Sequence, residues 1–212
     1  MFEKILALIF PPNGEARAIE TMSPSAFSQE ATRVLDELPQ GIYSLFHYKD
    51  PLVKQALWAL KYRGSRPVAK LFATLLYETI LEHISDALLF ENVSEPLLLS
   101  LPLSEQRLKE RGWNQAELIC EEIIKLYPQL HYNKNILKKI KHTAPQTTLS
   151  RKERLLNLKN CFGIDSGALH LLQNRNIILL DDVTTTGSTL KEARATLIKA
   201  GARKVLCFTV AH

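Results

Sequence analysis

Two adjacent acids and the hydroxyl-rich stretch after them are the most chemically distinctive part of this 212-residue sequence. Asp181 and Asp182 follow an apolar run over residues 177–180, and after them come Val183, Thr184, Thr185, Thr186, Gly187, Ser188 and Thr189. Backbone N–H groups, hydroxyls and the start of the next helix suit a phosphate monoester. Paired carboxylates repel phosphate but accept hydrogen bonds from vicinal hydroxyls. The motif therefore predicts a site for a sugar phosphate with two free hydroxyls.

Other phosphate-binding motifs do not fit this stretch. A Walker A loop requires a lysine after its second glycine, and a dinucleotide site requires Gly-x-Gly-x-x-Gly; the sequence contains neither. The plainer alternative is that one acid caps the helix and the threonines are turn residues. A lone Asp-Asp pair would favour that alternative, whereas the whole string after an apolar strand favours the sugar phosphate.

Strands and helices alternate along the chain and must bring this motif to one edge of a sheet. Apolar runs typical of strands cover residues 42–48, 96–103, 176–180 and 204–210. Apolar residues at helical spacing cover residues 53–62, 68–84, 114–124 and 190–200. This alternation predicts an α/β fold with a mostly parallel sheet flanked by helices. Ligands of such sheets bind beyond the carboxyl ends of the strands, where the acids stand.

Positive charge is concentrated in residues 134–159, which hold eight lysines and arginines against Glu153 alone, a net +7. Since the whole chain carries +5, the remainder carries −2. A localised basic segment suggests an anionic ligand such as a polyphosphate or a nucleic acid. From charge alone, a solvated surface loop is an equally good interpretation. Residues 104–113, with Arg107 and Arg111, are predicted to be a loop between a strand and a helix.

The chain divides into a small N-terminal appendage, residues 1–40, interrupted by four prolines, and a main domain over residues 41–212. Three widely spaced cysteines form no metal-binding or disulfide pattern, so we expect them to be buried apolar residues in a reducing compartment. The apolar run at residues 5–10 is short for a signal peptide and ends at Pro11. No stretch approaches the roughly 20 apolar residues that span a bilayer. We therefore expect a cytoplasmic protein without membrane insertion.

The motif at residues 177–189 resembles the signature with which type I phosphoribosyltransferases bind phosphoribosyl pyrophosphate (PRPP). Residues 101–115 resemble the "PxP...R...RGFNQ" segment of the ComF competence-protein family, and residues 143–162 resemble its "TxPQ..L...R..N....F" block. With Tyr48-Lys49 and residues 60–62, the similarity covers most of residues 42–212. The resemblance implies a type I phosphoribosyltransferase fold.

In such enzymes the two acids hold the ribose 2′ and 3′ hydroxyls and the following loop holds the 5′-phosphate. Pyrophosphate leaves C1 of the ribose as a nucleophile attacks, and Mg²⁺ spreads the charge on the leaving group. Arg107 and Arg111 are candidates for stabilising that charge. Arg151 and Arg154 lie where related folds place a mobile loop that closes over PRPP. Lys61 is a weaker candidate, and surface charge is the alternative for all of these residues.

One feature departs from the family. Most members carry an N-terminal zinc module with four cysteines, whereas residues 1–40 contain none, so zinc is not predicted and no residue is assigned as a metal ligand. Three functions are compatible with the motifs: a phosphoribosyltransferase with an unidentified acceptor, linked to DNA uptake or nucleotide salvage; a non-catalytic sensor of PRPP or a nucleotide; and an accessory protein that contacts single-stranded DNA or a helicase. Fold alone does not decide among them.

Overall fold

The structure is a computed structural model that describes residues 14–34, 38, 41–90, 96–140 and 160–212. Its elements follow one another as α1 (Gly14–Thr21), α2 (Pro24–Glu30), β1 (Ile42–Phe46), α3 (Pro51–Arg63), α4 (Arg66–Phe90), β2 (Leu97–Ser100), α5 (Glu105–Arg111), α6 (Gln115–Leu126), β3 (His131–Tyr132), β4 (Leu137–Lys139), β5 (Phe162–Ile164), β6 (Asn176–Val183), α7 (Ser188–Lys199) and β7 (Lys204–Ala211). Among the helices so described, none is both long and apolar enough to cross a membrane.

Five strands form one sheet in the order β1-β7-β6-β2-β3, and every neighbouring pair is parallel. Strand β6 occupies the centre, with β7 on one side and β2 on the other. Strands β4 and β5 pair antiparallel as a separate two-stranded ribbon. The predicted fold class, a parallel α/β sheet flanked by helices, is confirmed.

Each face of the sheet has its own apolar core, because side chains of successive strand residues point to opposite faces. Leu98, Ile178 and Phe208 join one core with helices α4 and α6. Leu99, Leu179 and Cys207 join the other, which packs under α7. All three cysteines are buried and form no disulfide with one another, as the sequence predicts.

The two N-terminal helices pack into the first of these cores. Phe27 of α2 is fully buried, and its ring meets Phe46 and Phe72 edge to face at centroid distances of 5.4 and 5.7 Å. Ile19 of α1 belongs to the same core. These residues therefore complete the hydrophobic interior beside α4, and the domain boundary at residue 40 stays a prediction.

The loop predicted over residues 104–113 is wrong for most of its length, because residues 105–111 form helix α5. The Ser104 hydroxyl accepts a hydrogen bond from the Arg107 N–H at 3.4 Å and caps its start, and Gly112, at φ 83°, ends it. The helix buries none of its side chains, so it lacks the apolar periodicity that marks a helix in sequence.

Asn114 ties the start of α6 to the end of β2. Its Nδ2 donates to the Leu101 carbonyl oxygen at 3.0 Å, and its Oδ1 accepts from the Ala116 N–H at 3.0 Å. We expect Asn114→Ala to lower the free energy of unfolding by about 2 kcal/mol, because a helix cap is lost and a buried carbonyl loses its partner. Urea unfolding measures this change. Asn133→Ala, in an exposed turn, is the control and should change little; equal losses would contradict the assignment.

Candidate functional site

Both acids are the last polar residues of the central strand rather than the first residues of a loop, since β6 continues to Val183. Asp181 is the register partner of Thr209 on β7. On the other side, Leu180 pairs with Ser100, the last residue of β2, and its carbonyl oxygen accepts from the Leu101 N–H at 2.8 Å. The acids therefore stand at the carboxyl edge of the sheet, between the ends of β2 and β7.

The segment after the acids is held against the sheet at both ends. The Thr184 N–H donates to the Ala211 carbonyl oxygen at 3.0 Å, which extends the pairing of β6 with β7 by one residue. Gly187 adopts φ 70°, and a Cβ at this position would lie 2.6 Å from Cδ1 of Ile42. Both the dihedral angle and the close approach require glycine. Thr185 and Thr186, between these anchors, are exposed.

Hydroxyls gather at the start of α7, which follows directly. Ser188 and Thr189, predicted as loop residues, form the first turn of this 12-residue helix. The hydroxyls of Thr186 and Ser188 lie 2.8 Å apart, and the first turn contains no acidic residue. The positive end of the helix and these donors suit a phosphate group.

The two carboxyls accept hydrogen bonds from the backbone, and the surroundings of Asp181 disfavour its ionised form. The Asp182 N–H donates to Asp181 Oδ1 at 2.9 Å, and the Val183 N–H donates to Asp182 Oδ1 at 2.8 Å. Burial raises the pKa of Asp181 well above its usual range, and the Asp182 carboxyl raises it further. A pair of fixed acceptors beside residues 184–187, called the Gly187 turn below, can take hydrogen bonds from two neighbouring hydroxyls of a ligand.

The Gln115 side chain contacts both the backbone of Lys61 and the side chain of Arg111. The Gln115 side chain donates to the Lys61 carbonyl oxygen at 3.5 Å and accepts from the Arg111 guanidinium at 3.3 Å. Trp113 strengthens this junction, since its indole N–H donates to the Leu60 carbonyl oxygen at 3.1 Å. The Lys61 ammonium itself lies 4.9 Å from the centre of the Tyr62 ring. The end of α3 is thus attached to the segment that follows β2.

Lys139 on β4 is a further candidate site residue that sequence reasoning did not single out. Burial lowers its pKa, the nearby Arg107 guanidinium lowers it further, and the Asp181 carboxyl acts in the opposite direction. Lys139 therefore lies within electrostatic range of both an acid and an arginine of the predicted site. It also lines an open pocket of about 870 Å³, together with Ser104, Glu105, Gln106, Lys109, Glu110, Lys138 and Ile140.

Lys139 and its neighbour Lys138 lie in different surroundings, because side chains point alternately to the two faces of a strand. Lys138 is exposed and forms an ion pair with Asp165, whereas Lys139 is half-buried over the ring of Phe162 at 5.8 Å. Leu137 and Lys139 stand two residues apart on the strand, so they share a face. This two-residue alternation is the sequence pattern that could have identified Lys139 as partly buried.

Arg151 and Arg154 lie outside the described residues, so their role in covering PRPP stays a prediction. The chain leaves the described part after Ile140 and returns at Asn160, whose N–H donates to Glu192 Oε1 of α7 at 2.6 Å. The described part thus holds the acids, the Gly187 turn, Lys61, Arg107 and Arg111.

Comparison with known proteins decides the family. Models of protein families give no match. Competence protein F of Haemophilus influenzae is 32% identical over 167 residues, which cover 78% of this chain and 70% of that protein. The chain belongs to the ComF competence-protein family. Competence protein ComFC of Bacillus subtilis is 31% identical over 183 residues, with coverage of 84% and 68%. DNA utilization protein YhgH of Salmonella typhimurium is 31% identical over 176 residues, with coverage of 81% and 73%.

The ComF family resemblance drawn from three separate motifs is therefore confirmed. Among solved structures, one described as the allosteric regulatory enzyme of purine biosynthesis matches with a TM-score of 0.34 and 17% identity. That match covers 55% of the ComF-family chain and 22% of the other chain. A similarity this low supports no functional conclusion, so the fold class rests on the parallel sheet itself.

The raised pKa of Asp181 predicts how stability depends on pH. The folded state holds this proton more tightly than the unfolded state, so the group costs stability as pH rises above its unfolded pKa of about 3.9. We expect Asp181→Asn to be more stable than the wild type near pH 7 and equally stable near pH 4. Urea unfolding at a series of pH values measures this difference.

Asp165 provides a control of opposite sign. Its hydrogen bond to Lys138 lowers the pKa of the carboxyl, so the stability it contributes is present above its unfolded pKa and is lost as pH falls. Asp165→Asn should therefore be less stable than the wild type near pH 7. A destabilised Asp181→Asn variant near pH 7 would contradict the assignment.

Proposed function

We propose that this ComF-family protein binds PRPP through its ribose 5-phosphate part and acts as a phosphoribosyltransferase on an acceptor that remains to be identified. One observation carries the proposal. Asp181 and Asp182 end the central strand directly before a glycine-bearing turn and the hydroxyl-lined start of α7. Hydrogen-bond donors that suit a phosphate and a pair of carboxyls that suit sugar hydroxyls therefore adjoin at one sheet edge, which supports a ligand with the two ends of a ribose 5-phosphate.

The residues divide into two groups with different tasks. The carboxylates of Asp181 and Asp182 would accept hydrogen bonds from the 2′ and 3′ hydroxyls, and the N–H groups and hydroxyls of residues 184–189 would hold the 5′-phosphate. Arg107, Arg111 and Lys139 would face the pyrophosphate, with Lys61 among the further candidates. As the bond from C1 to the pyrophosphate oxygen breaks and the bond to the acceptor forms, these cations would stabilise the charge on the leaving group.

Mg²⁺ would accompany the pyrophosphate. The described residues contain no group of three or more histidine, cysteine or acidic side chains that could hold a metal ion. Mg²⁺ commonly keeps several waters and binds through substrate phosphates, so pyrophosphate oxygens would be its chief ligands here. The ion would neutralise part of the charge that develops on the leaving group.

A ligand screen tests the proposed binding. We would measure melting temperatures with PRPP, ribose 5-phosphate and inorganic phosphate, each with and without Mg²⁺. A ligand at 100 times its dissociation constant adds about 2.7 kcal/mol to the stability of the folded state. PRPP should stabilise most and phosphate least. Release of pyrophosphate in the presence of candidate acceptors then separates an enzyme from a sensor that binds PRPP without reaction.

The acids should determine sugar affinity. We expect the double substitution Asp181→Asn with Asp182→Asn to weaken ribose 5-phosphate and PRPP binding at least about tenfold, because two charge-assisted hydrogen bonds are lost. Inorganic phosphate should bind as before, since it needs only the turn and the start of α7. Calorimetry measures all three affinities. Full PRPP affinity in the folded double variant would refute the proposed site.

Lys139 should distinguish PRPP from ribose 5-phosphate. We expect Lys139→Met to weaken PRPP binding about tenfold, because a half-buried cation beside Arg107 is removed, and to leave ribose 5-phosphate binding within about twofold. Lys138→Met is the matched control, since its side chain is exposed and pairs with Asp165. Equal effects of the two substitutions on PRPP binding would exclude a specific role for Lys139.

An accessory role in DNA uptake is the second candidate, and the names of the relatives favour it, since they refer to competence and DNA utilization. Residues 134–159 carry a net +7 and would contact single-stranded DNA or a helicase. Two described cations of this segment are already engaged, Lys134 near Glu117 at 4.0 Å and Lys138 with Asp165. Binding of single strands that weakens steeply with salt would support this role.

A further inference from the structure

Three polar side chains stand in a row across the carboxyl end of the sheet. Thr209 on β7 is the register partner of Ser44 on β1 and of Asp181 on β6. Register partners on parallel strands point to the same face, and neighbouring strands lie about 4.8 Å apart. The Thr209 hydroxyl therefore lies between the Ser44 hydroxyl and the Asp181 carboxyl.

This row lies beneath the Gly187 turn. The row before it consists of Ile42, Cys207 and Leu179, which belong to the apolar core under α7. Gly187 packs directly against that core, since a Cβ at this position would lie 2.6 Å from Cδ1 of Ile42. The polar row is two residues further along each strand and therefore on the same face. It lies next to the start of α7, on the side of the sheet where the Gly187 turn lies.

Neither hydroxyl of the row has a hydrogen-bond partner in the described part of the chain. Thr209 is fully buried and Ser44 is 9% exposed, and both side-chain oxygens are enclosed. Buried polar groups are nearly always hydrogen-bonded, to protein or to ordered water. Ser100, at the end of neighbouring strand β2, follows this rule, since its hydroxyl lies 3.0 Å from the Tyr132 hydroxyl. The two hydroxyls beside Asp181 therefore point to a further occupant.

We propose that Thr209 and Ser44 hold an ordered water that hydrogen-bonds to the Asp181 carboxyl and so positions this carboxyl for the sugar hydroxyls. This inference rests on the proposed function. A buried water needs two to four polar partners, and two hydroxyls with a carboxylate oxygen supply three. The carboxyl has acceptor sites left, because the Asp182 N–H occupies only one of them. Thr209 is fully buried, so it acts through Asp181 and is a positioning residue.

Removing the Thr209 hydroxyl while keeping its shape tests this role. We expect Thr209→Val to weaken ribose 5-phosphate binding about three- to tenfold, the change expected for one lost hydrogen bond. Thr209→Ser, which keeps the hydroxyl, should bind like the wild type, and inorganic phosphate should bind equally to all three proteins. Wild-type affinity for ribose 5-phosphate in Thr209→Val, or an equal loss for inorganic phosphate, would overturn the positioning role.

Ser44→Ala provides a second variant in case Thr209→Val does not fold. Its hydroxyl lies one strand further from Asp181, so a smaller loss of ribose 5-phosphate affinity in the same direction is expected. An unchanged affinity in Ser44→Ala together with a non-folding Thr209→Val would overturn the proposal.

A crystal structure of the wild-type protein without ligand tests the water directly. An ordered water within hydrogen-bond distance of both hydroxyls and an Asp181 oxygen is expected, and its absence would overturn the inference even where ribose 5-phosphate binds. Failure of the wild-type protein to bind either PRPP or ribose 5-phosphate would instead overturn the proposed function, and the positioning role with it. A bound water without an effect of Thr209→Val would overturn the positioning role alone.

Discussion

Strand β6 is paired on both sides, by β2 and by β7, and this double pairing determines where its last residues lie. The pairing carries Asp181 and Asp182 to the carboxyl edge. A shift by one residue would exchange the side chains that pack into the two apolar cores. The turn and the start of α7 follow at once. Every feature of the site depends on this register.

The same strand register lowers the stability of the folded state, because it places polar groups in poorly solvated positions. Asp181 is placed next to a second carboxyl at the end of an otherwise apolar strand, so its ionised form is poorly solvated. Two hydroxyls on neighbouring strands add further buried polar atoms in the same row. Polar groups with such costs are common where a protein prepares acceptors for a ligand, since preorganisation is achieved at the expense of stability.

Charges of opposite sign approach this edge from different parts of the chain. The acids belong to β6, whereas Arg107 and Arg111 follow β2, and Lys139 comes from the separate ribbon of β4 and β5. A ligand that carries hydroxyls at one end and a polyphosphate at the other would satisfy both sets at once. The proposed site thus draws its acceptors from the central strand and its cations from elements that precede β6 in the chain.

The amino-acid sequence was enough to predict the motif at residues 177–189, the alternation of strands and helices, and the family. These features are local, because contiguous residues carry the turn, the helix start and the two acids together. The packing of the whole chain places Thr209 and Ser44 in one row with Asp181, and leaves Lys139 half-buried whereas Lys138 is exposed. Strand register and burial join residues far apart in the chain, and long-range packing, which no local pattern records, sets both.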